Sequence, residues 1–304
     1  MNTPKKQLTR DSNNWLPDVQ LSSSESVTAI NNGGMIMNSS LALIKGLLVV
    51  LLMSAFSVNA ASKSDLAKEK RWEEQIVPSL MVGKAIKLKA DSVEFLGLYA
   101  EPSSDHSKGA VILLHGIGVH PAWPDVIEPL RMQLPDLGWH TLSLQMPILN
   151  NEAEEKDYPP LFSEVPARIQ AGVDFLKSIG VRNIVISGHS TGATMAFYYL
   201  AKKKDPSVKA FVILSSGSGI AGDVRSDNLA NFKKMQGINI VDVYGSDDHK
   251  KVIGALRQRK MVAPKIHGSH YQYMKIDGAG HFYRDQQEEL LNQLSSYLDK
   301  SVAQ

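Results

Sequence analysis

From about residue 85 onward, short apolar runs alternate with amphipathic stretches. The runs are Ala110–Leu114 (AVILL), Thr141–Leu144 (TLSL), Asn183–Ser187 (NIVIS), Ala210–Leu214 (AFVIL), Ile238–Tyr244 (INIVDVY) and Tyr271–Ile276 (YQYMKI). Most are near-continuous rather than alternating, which predicts strands covered on both faces of a parallel sheet. Between them Asp125–Leu134, Pro166–Ile179, Thr191–Lys204, Asp227–Met235, His249–Arg259 and Arg284–Leu298 predict helices. In Pro166–Ile179, for example, Val173, Leu176 and Ile179 share one face. Upstream, Ala85–Leu88 and Val93–Tyr99 flank Ala90-Asp91-Ser92, a hairpin signal. Strands alternating with helices imply right-handed crossovers and a doubly wound, mostly parallel α/β sheet, here with an N-terminal antiparallel hairpin. There is no internal repeat and no long linker. Residues 81–304 therefore form one expected domain, preceded by a charged arm or short helix over 61–80.

The first 60 residues follow another pattern. Residues 1–34 are polar and aperiodic, and predict a disordered or untranslated prefix. Lys45 then precedes the apolar run Gly46–Val58, and small residues lead to Ala60. This is the order of a secretory signal peptide, placed at 35–60 with cleavage after Ala60. The run is shorter than the roughly 20 residues that span a bilayer, which favours cleavage over the alternative, an uncleaved inner-membrane anchor. The polar prefix suggests translation from Met35 or Met37. A periplasmic or secreted protein is expected, with membrane contact only through the signal segment if it is uncleaved.

Composition removes several functions. The 304 residues contain no cysteine, which excludes a disulfide framework, a thiolate zinc site, an iron–sulfur cluster and a cysteine nucleophile. Lys+Arg 33 against Asp+Glu 31 leaves a net charge of +2 and no basic excess for nucleic acid. Removing residues 1–60 takes away four cations and three anions and leaves +1.

The chemistry begins after the run NIVIS. Gly188-His189-Ser190-Thr191-Gly192 stands between a predicted strand and a predicted helix. In a G-x-S-x-G turn the serine sits on a sharp bend, and small residues two positions away let strand and helix approach. The serine Oγ is then exposed, and the next N–H, here that of Thr191, faces the site of a developing oxyanion. Downstream, INIVDVY leads into Gly245-Ser246-Asp247-Asp248, and YQYMKI leads into Asp277-Gly278-Ala279-Gly280-His281. Upstream, AVILL runs into His115-Gly116-Ile117-Gly118. All four stretches lie at the C-terminal ends of predicted strands, where open parallel sheets bind ligands.

With these motifs in place, the span from Val82 to Leu298 resembles the α/β-hydrolase superfamily. Its GHSTGA and DGAGHFY segments are similar to a largely uncharacterised bacterial family of exported α/β-hydrolase-like proteins. The resemblance implies the α/β-hydrolase fold, a Ser-Asp-His order and no cofactor. Ser190 is then the nucleophile, His281 the general base, and Asp248, at the end of the superfamily's G-x-x-D pattern, the acid that orients it. Adjacent Asp247 is the alternative acid, and Asp242, inside the strand, is less suited. The second oxyanion N–H is assigned to Ile117, beside that of Thr191. His115, Gly116, His120 and His189 are candidate pocket residues, although His115 fits a structural role and His189 should point away from the serine.

Met146–Pro166 and Ser215–Asn231 are the segments expected to shape the pocket, and neither is long enough for a large lid. No His-x-x-x-His or H-E-x-x-H spacing suggests a metal. Arg257, Arg259 and Lys260 read as a solvated helix face. The expectation is a serine hydrolase of carboxylesterase type, acting on a small-molecule or envelope-derived acyl substrate. A non-catalytic binding or envelope-associated protein on the same fold is the alternative.

Overall fold

The computed structural model describes residues 63–267 and 270–302. The expected signal segment and its polar prefix lie outside the described residues. Eight strands form one sheet: β1 Lys84–Ala90, β2 Val93–Ala100, β3 Gly109–Leu114, β4 Trp139–Leu144, β5 Ile184–His189, β6 Val208–Leu214, β7 Asn239–Gly245 and β8 Tyr271–Ile276. Their order is β1-β2-β4-β3-β5-β6-β7-β8. β2 runs antiparallel to both of its neighbours, and every other pair is parallel. Asp91, in the turn between β1 and β2, takes a left-handed φ of 52°.

Among the described residues, seven α-helices surround the sheet: α1 Leu66–Ile76, α2 Ile127–Gln133, α3 Val165–Ser178, α4 Thr191–Lys202, α5 Asn228–Lys234, α6 Lys250–Ile266 and α7 Gln287–Val302. The apolar runs are continuous because both faces are covered. Alternate residues of β3 serve different cores: Ile112 and Leu114 pack with α3 and α4, whereas Val111 and Leu113 pack with α2 and α7. Ala110 through Leu114 are all fully buried. Full burial of each large apolar side chain stabilises by about 1.5–3 kcal/mol, which makes β3 the anchor of the sheet.

Several elements depart from the periodicity. The charged stretch 61–80 contains α1, N-capped by the Asp65 carboxylate, which accepts from Lys68 N–H at 2.9 Å. Ile76 packs on Leu96 and Leu98, and buried Glu69 pairs two-pronged with buried Arg168 of α3 at 2.9 Å. α6 runs on through Pro264 because Leu256 and Ala263 continue its buried face. α7 starts later than Arg284 because Tyr283 and Asp285 hold positive φ values of 52° and 62°, which no helix accommodates.

The segment 146–166 is less of a pocket wall than its polar composition suggests. Tyr158, Leu161 and Phe162 are driven into the main core. After β6 the chain makes one short turn at Val224–Ser226 and then α5, so no cap domain enters there. Among the described residues, no helix is long and apolar enough to cross a membrane.

Candidate active site

Ser190 joins β5 to α4 at φ 54° and ψ −119°. A non-glycine residue in so sparsely populated a region costs of order 1–3 kcal/mol and persists only where its surroundings impose it. Here they do. Ser190 N–H donates to Leu214 O at 2.9 Å, and Ser190 O accepts from the Ala193 and Thr194 N–H groups. The flanking glycines are steric necessities. A Cβ on Gly188 would lie 2.6 Å from the Ala193 backbone, and one on Gly192 would lie 2.3 Å from Leu114 O.

The loops after β7 and β8 deliver the partners. His281 Nδ1 lies 2.9 Å from Asp248 Oδ1, and His281 Nε2 lies 3.2 Å from Ser190 Oγ. An ionised Asp248 only accepts, so Nδ1 carries the proton and Nε2 is left to accept from the serine hydroxyl. Asp248 Oδ1 also takes His249 N–H at 2.7 Å, and Oδ2 takes the Ser215 hydroxyl proton. Burial opposes the charge on Asp248, but hydrogen bonds from His281 and Ser215 and the proximity of His281 outweigh it. The carboxyl is held below the usual carboxylate range. Asp247 is exposed, with its N–H on Ala279 O at 2.9 Å, so the alternative acid is not brought to His281.

Behind Asp248 is a layer that sequence reasoning missed. Ser215, at φ 50° just past β6, is fully buried. Its Oγ lies 2.8 Å from the Tyr283 hydroxyl, which also lies 3.0 Å from Val243 O. The single Tyr283 proton goes to Val243 O, a carbonyl that can only accept, and the Ser215 hydroxyl faces both the carboxylate and the Tyr283 oxygen. The only sequence signals were a small polar residue ending one strand and an aromatic two places after the histidine.

The candidate oxyanion amides stand beside the serine. Thr191 opens α4 directly after Ser190, and Ile117 follows Gly116, where a Cβ would stand 3.6 Å from the Ser190 Cβ. Neither N–H has a backbone acceptor among the described residues. The start of a helix also favours negative charge.

Two expected pocket histidines turn out to be internal struts. His115 is buried, accepts Met146 N–H at Nε2 (2.9 Å) and meets Gly116 O through Nδ1 (2.8 Å). Burial pushes its pKa down to about 3. His189 is buried too, and its Nε2–H donates to His281 O at 2.9 Å, bracing the main chain at His281. Burial first, then the neighbouring His281, push it down to about 4. Both are pushed down because lost hydration dominates, and for His189 the nearby Asp248 and Asp125 do not offset it. His120 is half-buried, edge-on to Trp72 and Trp123 at 5.1 and 5.5 Å between ring centroids. His249, by contrast, is exposed, with its ring 4.5 Å from that of His281.

Of the basic triplet, Arg259 does not face solvent. It is 1% exposed and grips Asp242 through Nε at 2.6 Å. Its remaining N–H groups donate to Ser216 O and Gly217 O, next to Ser215. Among the described residues no group of His, Asp or Glu is placed to hold a metal ion.

This is the α/β-hydrolase fold, and solved structures repeat it. Est1E from Butyrivibrio proteoclasticus is 17% identical with a TM-score of 0.57, over 72% of this chain and 99% of that one. An alpha-beta serine hydrolase homologue from Coxiella burnetii is 17% identical with a TM-score of 0.56, over 72% and 99%. A Pyrococcus furiosus esterase is 16% identical with a TM-score of 0.57, over 72% and 92%. At such identities the likeness is one of fold. No curated protein sequence matches significantly. Residues 58–160 and 150–300 match the family described as "Protein of unknown function (DUF3530)", and the chain belongs to that family.

Proposed function

We propose that the chain is an exported serine hydrolase that cleaves carboxylic esters through an acyl-enzyme on Ser190. The observation that carries this reading is the continuous relay Ser190–His281–Asp248, at 3.2 and 2.9 Å, ending on a serine held in a strained backbone conformation. His281 Nε2 takes the hydroxyl proton as Ser190 Oγ attacks the acyl carbon. The N–H groups of Ile117 and Thr191 receive the oxyanion. His281 then returns the proton to the leaving alkoxide, and water repeats the sequence to release the acid. Esters are the favoured class because the Pyrococcus furiosus neighbour is an esterase and, among the described residues, no cap domain covers Ser190. Export rests on the signal pattern of residues 35–60.

The test is labelling of the purified chain with a fluorophosphonate, beside hydrolysis of short and long acyl p-nitrophenyl esters. Labelling is expected in the parent and absent in Ser190→Ala, whose hydrolysis rate should fall by about 10⁴–10⁶-fold. A folded parent chain without labelling or hydrolysis would overturn the proposal in favour of a binding protein. N-terminal sequencing of the native protein tests export, with Ala61 as the expected first residue.

A further inference from the structure

The end of the sheet opposite Ser190 carries a second organised feature. There the start of β6 meets the C-terminal ends of α4 and α5 around a cleft of about 420 Å³. Buried Val208, Met235 and Ile238 give it an apolar floor beside Asn239, His270 and Ser301, and its rim holds Lys203, Lys204 and Lys209. All three lysines are exposed, and none is ion-paired among the described residues. Among the described residues the one carboxylate in the cleft, Asp205, is occupied by Lys177 at 2.9 Å and by Ser207. Lys233 and Lys234, exposed at the end of α5, extend the positive edge beside Met235.

Lysines at helix C-termini complement the helix dipole, and that accounts for part of the pattern. It does not account for Lys209, which lies on a strand, or for the apolar floor. Charge is also segregated along the molecule. At the catalytic end, the segment 146–166 carries Glu152, Glu154, Glu155, Asp157 and Glu164 against Lys156 as its only cation. A near-neutral net charge therefore conceals a basic end and an acidic end.

We propose that the basic end docks on an anionic phospholipid surface. A headgroup phosphate would enter the cleft between Lys203, Lys204 and Lys209, with its glycerol backbone over Val208, Met235 and Ile238. Lys233 and Lys234 would lie over neighbouring headgroups. A free polyanion would have no use for the apolar floor, and the cleft presents a single aromatic ring, His270, hydrogen-bonded to Asn239 at 2.9 Å, rather than a row of rings on which successive bases could stack. β6 separates the two ends by about 20 Å at the usual rise per residue, so docking leaves the Ser190 cleft facing away from the membrane.

The experiment is vesicle co-sedimentation of the full chain, comparing phosphatidylcholine alone with phosphatidylcholine containing 30 mole per cent phosphatidylglycerol. The ratio of the two affinities removes any contribution from the apolar run at 46–58, which does not distinguish the lipids. A lysine near an anionic surface contributes about fivefold in binding. The triple variant K203Q/K204Q/K209Q, which removes three positive charges, should therefore lower the ratio by about a hundredfold, with unchanged melting temperature and ester hydrolysis. Raising salt from 0.1 to 0.5 M should lower the parent ratio as well, because screening shortens the reach of the lysines. A parent ratio near one, or a ratio equal in parent and variant, would overturn the proposal. So would complete release of the chain from anionic vesicles by 10 mM inorganic phosphate at constant ionic strength, which would mark a site for free phosphate instead.

Discussion

Asp242 and Asp248 leave the same strand six residues apart, and both carboxylates are buried against a nitrogen partner. Asp242 sits within β7 and meets Arg259, a group that never loses its proton, with the Tyr271 hydroxyl donating at 3.1 Å. Asp248 sits past the end of β7 and meets His281, whose other nitrogen reaches Ser190. The first pair can only hold structure together. The second can pass a proton, because an imidazole has two faces and two accessible protonation states. Burial alone thus does not distinguish the two carboxylates. The partner and the position along the strand do. The two are also connected: Arg259 holds Ser216 O and Gly217 O, while the adjacent Ser215 holds Asp248.

Substitution should separate the two aspartates. Asp248→Asn is expected to lower kcat for ester hydrolysis by about 10⁴-fold with little change in melting temperature, since it favours the wrong His281 tautomer. Steady-state kinetics beside thermal unfolding checks this, and a large loss of stability with retained kcat would reverse the roles assigned here. Asp242→Asn should do the opposite. It strands a buried guanidinium and should cost about 3–5 kcal/mol in urea unfolding, while the folded fraction keeps its labelling by fluorophosphonate. Replacing both partners, Asp242→Leu with Arg259→Met, should recover most of that loss.

Ser215→Ala tests the link between the pairs. Losing one hydrogen bond to a charged group should lower kcat about tenfold, roughly 1.4 kcal/mol, with KM nearly unchanged. An equal effect on KM alone would indicate that Ser215 shapes the pocket rather than orienting Asp248.

A further contrast concerns pH and stability. His189, held near 4 when folded, binds its proton at about 6.5 in the unfolded chain. Between those values the unfolded state carries more protons, so stability falls as pH drops from about 6.5 to 4. His189→Gln, which keeps a donor for His281 O, should flatten that slope in pH-dependent unfolding. Asp248 acts lower: its contribution is present above the ordinary carboxylate value and is lost as pH falls through its depressed one. Asp248→Asn should remove that acid-range component alone.

Much of this architecture was readable from local pattern. The strands follow from apolar runs, and the turn at Ser190 follows from glycines on either side of it, because each signal lies within a few residues of its effect. Ser215 was not readable, because Asp248 is 33 positions away and the two meet only where β6 and β7 end side by side. Arg259 reads like Arg257 and Lys260 until the phase of α6 against the sheet turns it inward. The buried roles of His115 and His189 depend likewise on carbonyl and amide groups brought from other loops.

The sequence by itself determined the order of the elements, the sheet with both faces covered, and the positions of Ser190, Asp248 and His281 at strand ends, since side-chain periodicity and turn chemistry act over short range. Only the tertiary structure decided that Asp248 rather than Asp247 faces His281, that Ser215 and Tyr283 back it, and that charge gathers at opposite ends of the sheet. Those outcomes depend on which strand ends lie next to each other, and adjacency in space is set by packing the whole chain.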